Sequence, residues 1–84
     1  MTSSASLTLY SRTYCHLCDD MLAALEALRG EFVFAVTVVD VDADPVLEAR
    51  YDELVPVLMD GEGQELCHYH LDLPKVREYL GCFR

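Results

Sequence analysis

Cys15 and Cys18 are the residues whose type and spacing speak most directly of chemistry. Separated by His16 and Leu17, they can close a small disulfide ring, and the stretch after them has the periodicity of an amphipathic helix. A cysteine in the first turn of a helix faces unpaired backbone N–H groups and the positive end of the helix dipole. Its thiolate is then favoured at a lower pH than that of a free cysteine. The chemistry this permits is thiol–disulfide exchange, in which one thiolate attacks a disulfide and the second cysteine displaces the product from the mixed disulfide. A Cys-x-x-Cys pair beside a strand-to-helix pattern, in a chain without secretory features, reads as a redox motif. A rival uses the same residues: Cys15 and Cys18 with Cys67 and His70 form a zinc donor set by residue type. Neither pair has glycine-rich knuckle turns, and Cys67 and His70 would fall on opposite faces of a regular strand. No metal site is therefore expected.

The elements around the motif are readable in order. Residues 5 to 10 form a first strand, and Ser11 to Tyr14 is the loop that delivers Cys15 to the helix. Leu17, Met21, Leu25 and Leu28 recur along the helix, with Leu22 and Ala24 widening the stripe, so this face is expected to be core throughout. Gly30 ends it. Phe32 to Val41 is a β-branched and aromatic run, expected to be one strand, parallel to the first across a right-handed crossover. Asp44 and Pro45 mark the cap and first position of a short helix to about Tyr51. Residues 54 to 59 are a third strand, and Gln64 to His70 returns as its hairpin partner after the turn at Asp60–Gly63. In such a strand His68 and His70 would share one face and Tyr69 the other. Asp72 caps a last helix to Leu80, closed by Gly81. The order β-α-β-α-β-β-α gives an α/β fold, a four-stranded mixed sheet between helices, in a single domain over residues 1–84.

Composition limits the partners. Fifteen acids against six bases leave a net charge of −9, which repels nucleic acid backbones and anionic membranes unless the bases gather on one face. They are scattered over Arg12, Arg29, Arg50, Lys75, Arg77 and Arg84. No nucleic acid or membrane partner is expected. Met1 to Ser6 lacks the basic start and apolar run of a signal peptide, and no apolar stretch is long enough to span a bilayer, so the expected compartment is the cytoplasm. Thiols there stay reduced unless they do chemistry, and Cys67 and Cys82 read as small apolar residues.

The order of elements, with Cys15-His16-Leu17-Cys18 opening the first helix and Val55-Pro56 opening the third strand, resembles the thioredoxin fold in its minimal glutaredoxin form. The likeness runs from about Leu7 to Leu80. Leu9 to Cys15 resembles the glutaredoxin approach to its reactive cysteine, with Arg12 three positions before it and Tyr14 directly before it. Arg50-Tyr51 followed by Val55-Pro56-Val57-Leu58 is similar to a bacterial set of glutaredoxin-like proteins.

The resemblance implies that Cys15 attacks and Cys18 resolves, that Pro56 is cis, and that the backbone of Val55 is left to pair with an extended substrate segment. Glutaredoxins usually carry a Gly-Gly pair after the fourth strand, where the glutathione backbone rests. Here Cys67-His68-Tyr69-His70-Leu71-Asp72 stands instead, and His16 replaces the proline common after the first cysteine. Tyr69 or His70 is expected to narrow the groove beside Cys15, and Arg12 to guide an anionic substrate or stand solvated. The substrate-contacting set is thus Arg12, Tyr14, His16, Val55, Pro56, Tyr69 and His70. The expected activity is dithiol exchange on a disulfide-containing protein or low-molecular-weight thiol, by a monomer. No cofactor is expected, glutathione being a candidate reductant only. A redox-inactive interaction module is the other alternative, since fold alone does not establish activity.

Overall fold

A computed structural model describes residues 5–83; Met1–Ser4 and Arg84, which include part of the polar start and one of the scattered bases, lie outside the described residues. Seven elements follow the expected order: β1 (Ala5–Ser11), α1 (His16–Ala27), β2 (Phe34–Asp40), α2 (Pro45–Tyr51), β3 (Val57–Met59), β4 (Glu65–His68) and α3 (Leu73–Gly81). The strands form one sheet in the order β2-β1-β3-β4. β1 and β2 are parallel, while β3 is antiparallel to both β1 and β4, so the sheet is mixed.

Alternation along β1 decides where the core lies. Ala5, Leu7 and Leu9 are buried, and across the sheet Leu9 pairs with Leu58 and Leu58 with Cys67, giving an apolar row on one face. Met21 and Leu25 of α1, Leu28 just after it, and Val76 and Leu80 of α3 close over that face. The opposite face is more thinly covered. There Tyr10 pairs with the buried Val57 and stacks on Tyr51 at the end of α2, with ring centroids 4.7 Å apart, although α2 itself has no fully buried residue.

Helix starts obey side-chain capping. The Asp44 carboxylate accepts from the Val46 N–H at 2.9 Å, and Asp72 accepts from the Lys75 N–H at 3.2 Å, each just before a helix with proline in its first turn. Strand boundaries are shorter than the apolar runs suggest, for local reasons. α1 passes into a 3-10 turn over Leu28–Gly30, and the Phe32 N–H donates back to the Leu28 carbonyl. Phe32 therefore belongs to a turn, Val33 is exposed, and β2 starts at Phe34. Likewise the Leu54 and Val55 N–H groups donate to the Tyr51 carbonyl, so this segment prolongs the end of α2 and β3 starts only at Val57.

Among the described residues, no helix is long and apolar enough to cross a membrane. Cys67 is buried as a small apolar residue would be, but Cys82 follows α3 as its C-cap and is exposed. The reading of Cys82 as a buried residue is thus corrected: Val76, Leu80 and Phe83 are the residues turned to the core here, and Cys82 lies off that stripe.

Candidate functional site

Three connections leave the sheet at one edge. β1 ends at Ser11, β3 begins beside it because Tyr10 pairs with Val57, and β4 ends there too because Val57 pairs with His68. The Arg12–Cys15 loop, the Val55–Pro56 corner and the Tyr69–Leu71 turn therefore share that edge. Chain connectivity alone brings these distant segments together.

Cys15 is the N-cap of α1. Its backbone is extended (φ −97°, ψ 108°), and its Sγ accepts the Cys18 N–H at 3.1 Å, an otherwise unpaired donor of the first helical turn. Cys15 and Cys18 are joined by a disulfide, with Cα atoms 5.2 Å apart. The two sulfurs differ in access: Cys15 is half-buried at the rim, whereas Cys18 is 3% exposed and turned toward the core. His16 opens the helix and is exposed, and Tyr14, at φ 61°, projects entirely into solvent.

Across from the loop, the Val55–Pro56 peptide is cis and Pro56 is buried. The Val55 N–H is not left open for a partner as expected, because it donates to the Tyr51 carbonyl at 3.1 Å.

The third segment departs furthest from expectation. β4 stops at His68 because Tyr69 takes a left-handed backbone, φ 63°, so His68 and His70 no longer alternate with Tyr69 as on a strand. That conformation is one glycine adopts freely and tyrosine does not. Two bonds hold it: the Tyr69 N–H donates to the Pro56 carbonyl at 2.9 Å, and its phenol donates to the Glu53 carbonyl at 2.8 Å. Tyr69 thereby ties the turn to both sides of the Val55–Pro56 corner. His68 is drawn aside by Glu65, 2.8 Å from its Nδ1.

Beyond Tyr69 the chain turns against α1. Tyr69, His70 and Leu71 face Leu17, Asp20, Met21 and Ala24 across a cleft of about 150 Å³. Leu17 is therefore not core, but 37% exposed on a wall of the cleft. It sits in the first helical turn, above the edge where the strands have ended, and finds no sheet to cover it. Periodicity placed it on the right face without revealing how far that face extends.

Arg12 has a partner that the sequence did not indicate. Its guanidinium grips Asp42 through two contacts of 3.1 Å and reaches the Asp52 carbonyl at 3.4 Å. The hydrogen bond to Asp42, and then that carboxylate's charge, hold it more firmly in its charged form. It fastens the loop after β1 to the turn before α2. Asp42 was missed because nothing local in sequence links positions thirty apart.

Among the described residues no three cysteine, histidine or carboxylate side chains are grouped to hold a metal ion. The zinc set is not assembled: Cys67 points into the core, while the Tyr69 turn carries His70 away to the cleft. Burial pushes the Cys67 thiol up, against a smaller opposing hydrogen bond from the Asp72 backbone.

A four-stranded mixed sheet with a Cys-x-x-Cys disulfide at the first helix and a cis-proline at the same edge defines the thioredoxin-like class. Within it, residues 6–81 match the family model described as a glutaredoxin-like domain (DUF836), and the chain belongs to that family. It is similar in structure to protein Ne2328 from Nitrosomonas europaea, at 37% identity and a TM-score of 0.86, covering 95% of each chain. It is also similar to XcR50 from X. campestris, whose X-ray structure gives 42% identity and a TM-score of 0.71 over 90% of this chain and 96% of that one. The solution structure of the same protein gives a TM-score of 0.67. No curated protein matches the chain.

Proposed function

We propose that the chain is a thiol–disulfide oxidoreductase that acts by dithiol exchange through Cys15 and Cys18. The observation that carries this is the Cys18 N–H on the Cys15 Sγ at 3.1 Å, at the start of a helix. A donor already aimed at the sulfur favours negative charge on it without rearrangement, so the Cys15 thiolate forms at lower pH than in a free cysteine. The exposed carboxylates of Asp19 and Asp20 oppose this from the next positions, but solvent screens them.

In the reduced protein the Cys15 thiolate attacks one sulfur of a substrate disulfide. The substrate S–S bond breaks, a Cys15–substrate bond forms, and the leaving sulfur departs as a thiolate that takes a proton from water. Cys18 then loses its proton and attacks the Cys15 sulfur, releasing the second substrate sulfur as a thiol. Two electrons have passed to the substrate, and the Cys15–Cys18 disulfide remains. A thiol reductant restores it, glutathione being one candidate. The difference in burial supports this division of labour, since an incoming disulfide can reach Cys15 and not Cys18.

The substrate class is the disulfide of a protein or low-molecular-weight thiol, met by a monomer in the reducing cytoplasm. The test is to replace Cys18 by Ser, which removes the resolving thiol, and to follow alkylation of Cys15 against pH alongside disulfide reduction by the unaltered protein. The reading expects a stable mixed disulfide at Cys15, alkylation that begins at lower pH than for free cysteine, and turnover with a thiol reductant. A Cys15 that alkylates like free cysteine in a protein without turnover overturns it.

A further inference from the structure

The cleft between α1 and the Tyr69–Leu71 turn lies outside the exchange reaction itself. It begins at Leu17, within one helical turn of the disulfide, and extends to Ala24, a run of roughly 10 Å at the α-helical rise per residue. Leu17, Met21, Ala24 and Leu71 make it mainly apolar, and its volume of about 150 Å³ is on the order of one that encloses a benzene-sized group. Leu17 and Tyr69 keep 37% and 41% of their surface in solvent, which is apolar area awaiting cover.

Charge selects what covers it. Asp20 lines the cleft and Asp19 stands exposed beside it. Among the described residues no lysine or arginine lines it: Arg12 is bound to Asp42, Arg29 to Glu26 and Arg77 to Glu31, while Lys75 lines a separate cleft with Glu78. On a chain of net charge −9 this face repels a small anionic disulfide and attracts a cationic segment.

From these observations, and resting on the exchange reaction proposed above, we infer that the cleft is a subsite for a polypeptide disulfide, holding an apolar side chain of the substrate with a cationic neighbour facing Asp20. An extended chain advances about 3.3 Å per residue. Alternate side chains share a face, so an apolar residue two positions from the reacting cysteine enters the near end of the cleft, and a cation two positions beyond it, on the same face, reaches Asp20.

The experiment compares short peptides whose cysteine carries the same aromatic thiol as a mixed disulfide. One contains Cys-Ala-Leu-Ala-Lys, one has Leu replaced by Gly, one has Lys replaced by Glu, and each is also made in reversed order. Second-order rate constants are measured with the reduced protein. In at least one order the leucine peptide should react about tenfold faster than the glycine peptide, in line with partial burial of one aliphatic side chain. Lys should exceed Glu about threefold at low salt, with the difference shrinking at high salt. The variant Asp20→Asn should narrow the Lys-to-Glu ratio, and Ala24→Phe, which fills the cleft, should erase the Leu-to-Gly ratio. Equal rates for all peptides in both orders overturn the subsite. The disulfide of 2-mercaptoethanol, which is uncharged and has no side chain to place, separates the two ideas. If it is reduced while the peptides all react alike, only the subsite falls. If it and every peptide fail to react, the exchange reaction falls as well.

Discussion

Replacing Tyr69 by Gly sets two structural effects against each other, and their magnitudes decide the sign. A left-handed backbone costs a non-glycine residue about 1–2 kcal/mol, so glycine relieves strain at φ 63°. Glycine's extra freedom in the unfolded chain returns about 0.5–1 kcal/mol of that, leaving a gain of roughly 1 kcal/mol. On the other side stands the phenol's hydrogen bond to the Glu53 carbonyl at 2.8 Å, worth about 1 kcal/mol net. The edge-on contact with His68, centroids 4.8 Å apart, adds about 0.5 kcal/mol. Covering more than half of the ring contributes about 1.5 kcal/mol. The losses win, and Tyr69→Gly should destabilise the oxidised protein by about 2 kcal/mol. For a chain of this size that lowers the thermal midpoint by close to 10 °C. Tyr69→Phe removes only the hydroxyl and should lie between the two. Thermal unfolding followed by circular dichroism makes the measurement. If Tyr69→Gly melts at or above the unsubstituted protein, the ring and its bond do not hold the Val55–Pro56 corner, and the role given to Tyr69 is wrong.

Three further outcomes follow from other sites. Cys67 should resist alkylation in the folded protein while Cys82 reacts readily, read by mass spectrometry, because one thiol is buried and the other exposed. Burial raises the Cys67 thiol, so folding favours its protonated form, and the unfolded chain loses that proton first as pH rises. The stability this contributes is present below the ordinary thiol range, near pH ~8.5, and is lost as pH climbs from there through the folded value. Denaturant midpoints of the oxidised protein should accordingly fall at alkaline pH, and Cys67→Ala should flatten that fall. Asp72→Ala should cost about 1 kcal/mol in urea unfolding, through loss of the cap on the Lys75 N–H. An unchanged midpoint there means that the cap at 3.2 Å contributes nothing.

Sequence by itself determined the order of the elements and the place of the Cys15–Cys18 pair at the first helix. Capping by Asp44 and Asp72, the helical stripe of Met21, Leu25 and Leu28, and the alternation of Ala5, Leu7 and Leu9 are local or periodic signals. Local signals survive folding because they act between neighbours in the chain. The order of elements also placed the ends of β1 and β4 at one edge, since hairpin and crossover geometry leave few alternatives.

Tertiary structure alone decided how the site is walled. Whether Leu17 is core or cleft depends on where the sheet stops beneath α1, which no periodicity reports. Whether Arg12 meets substrate or Asp42 depends on the turn before α2 arriving beside the loop after β1. The left-handed Tyr69 ended β4 two residues early against its own conformational preference, held by bonds to Pro56 and Glu53 from elsewhere in the chain. Each of these is a contact between distant segments. Such a contact is fixed by the packing of the whole molecule and not by the residues on either side of it.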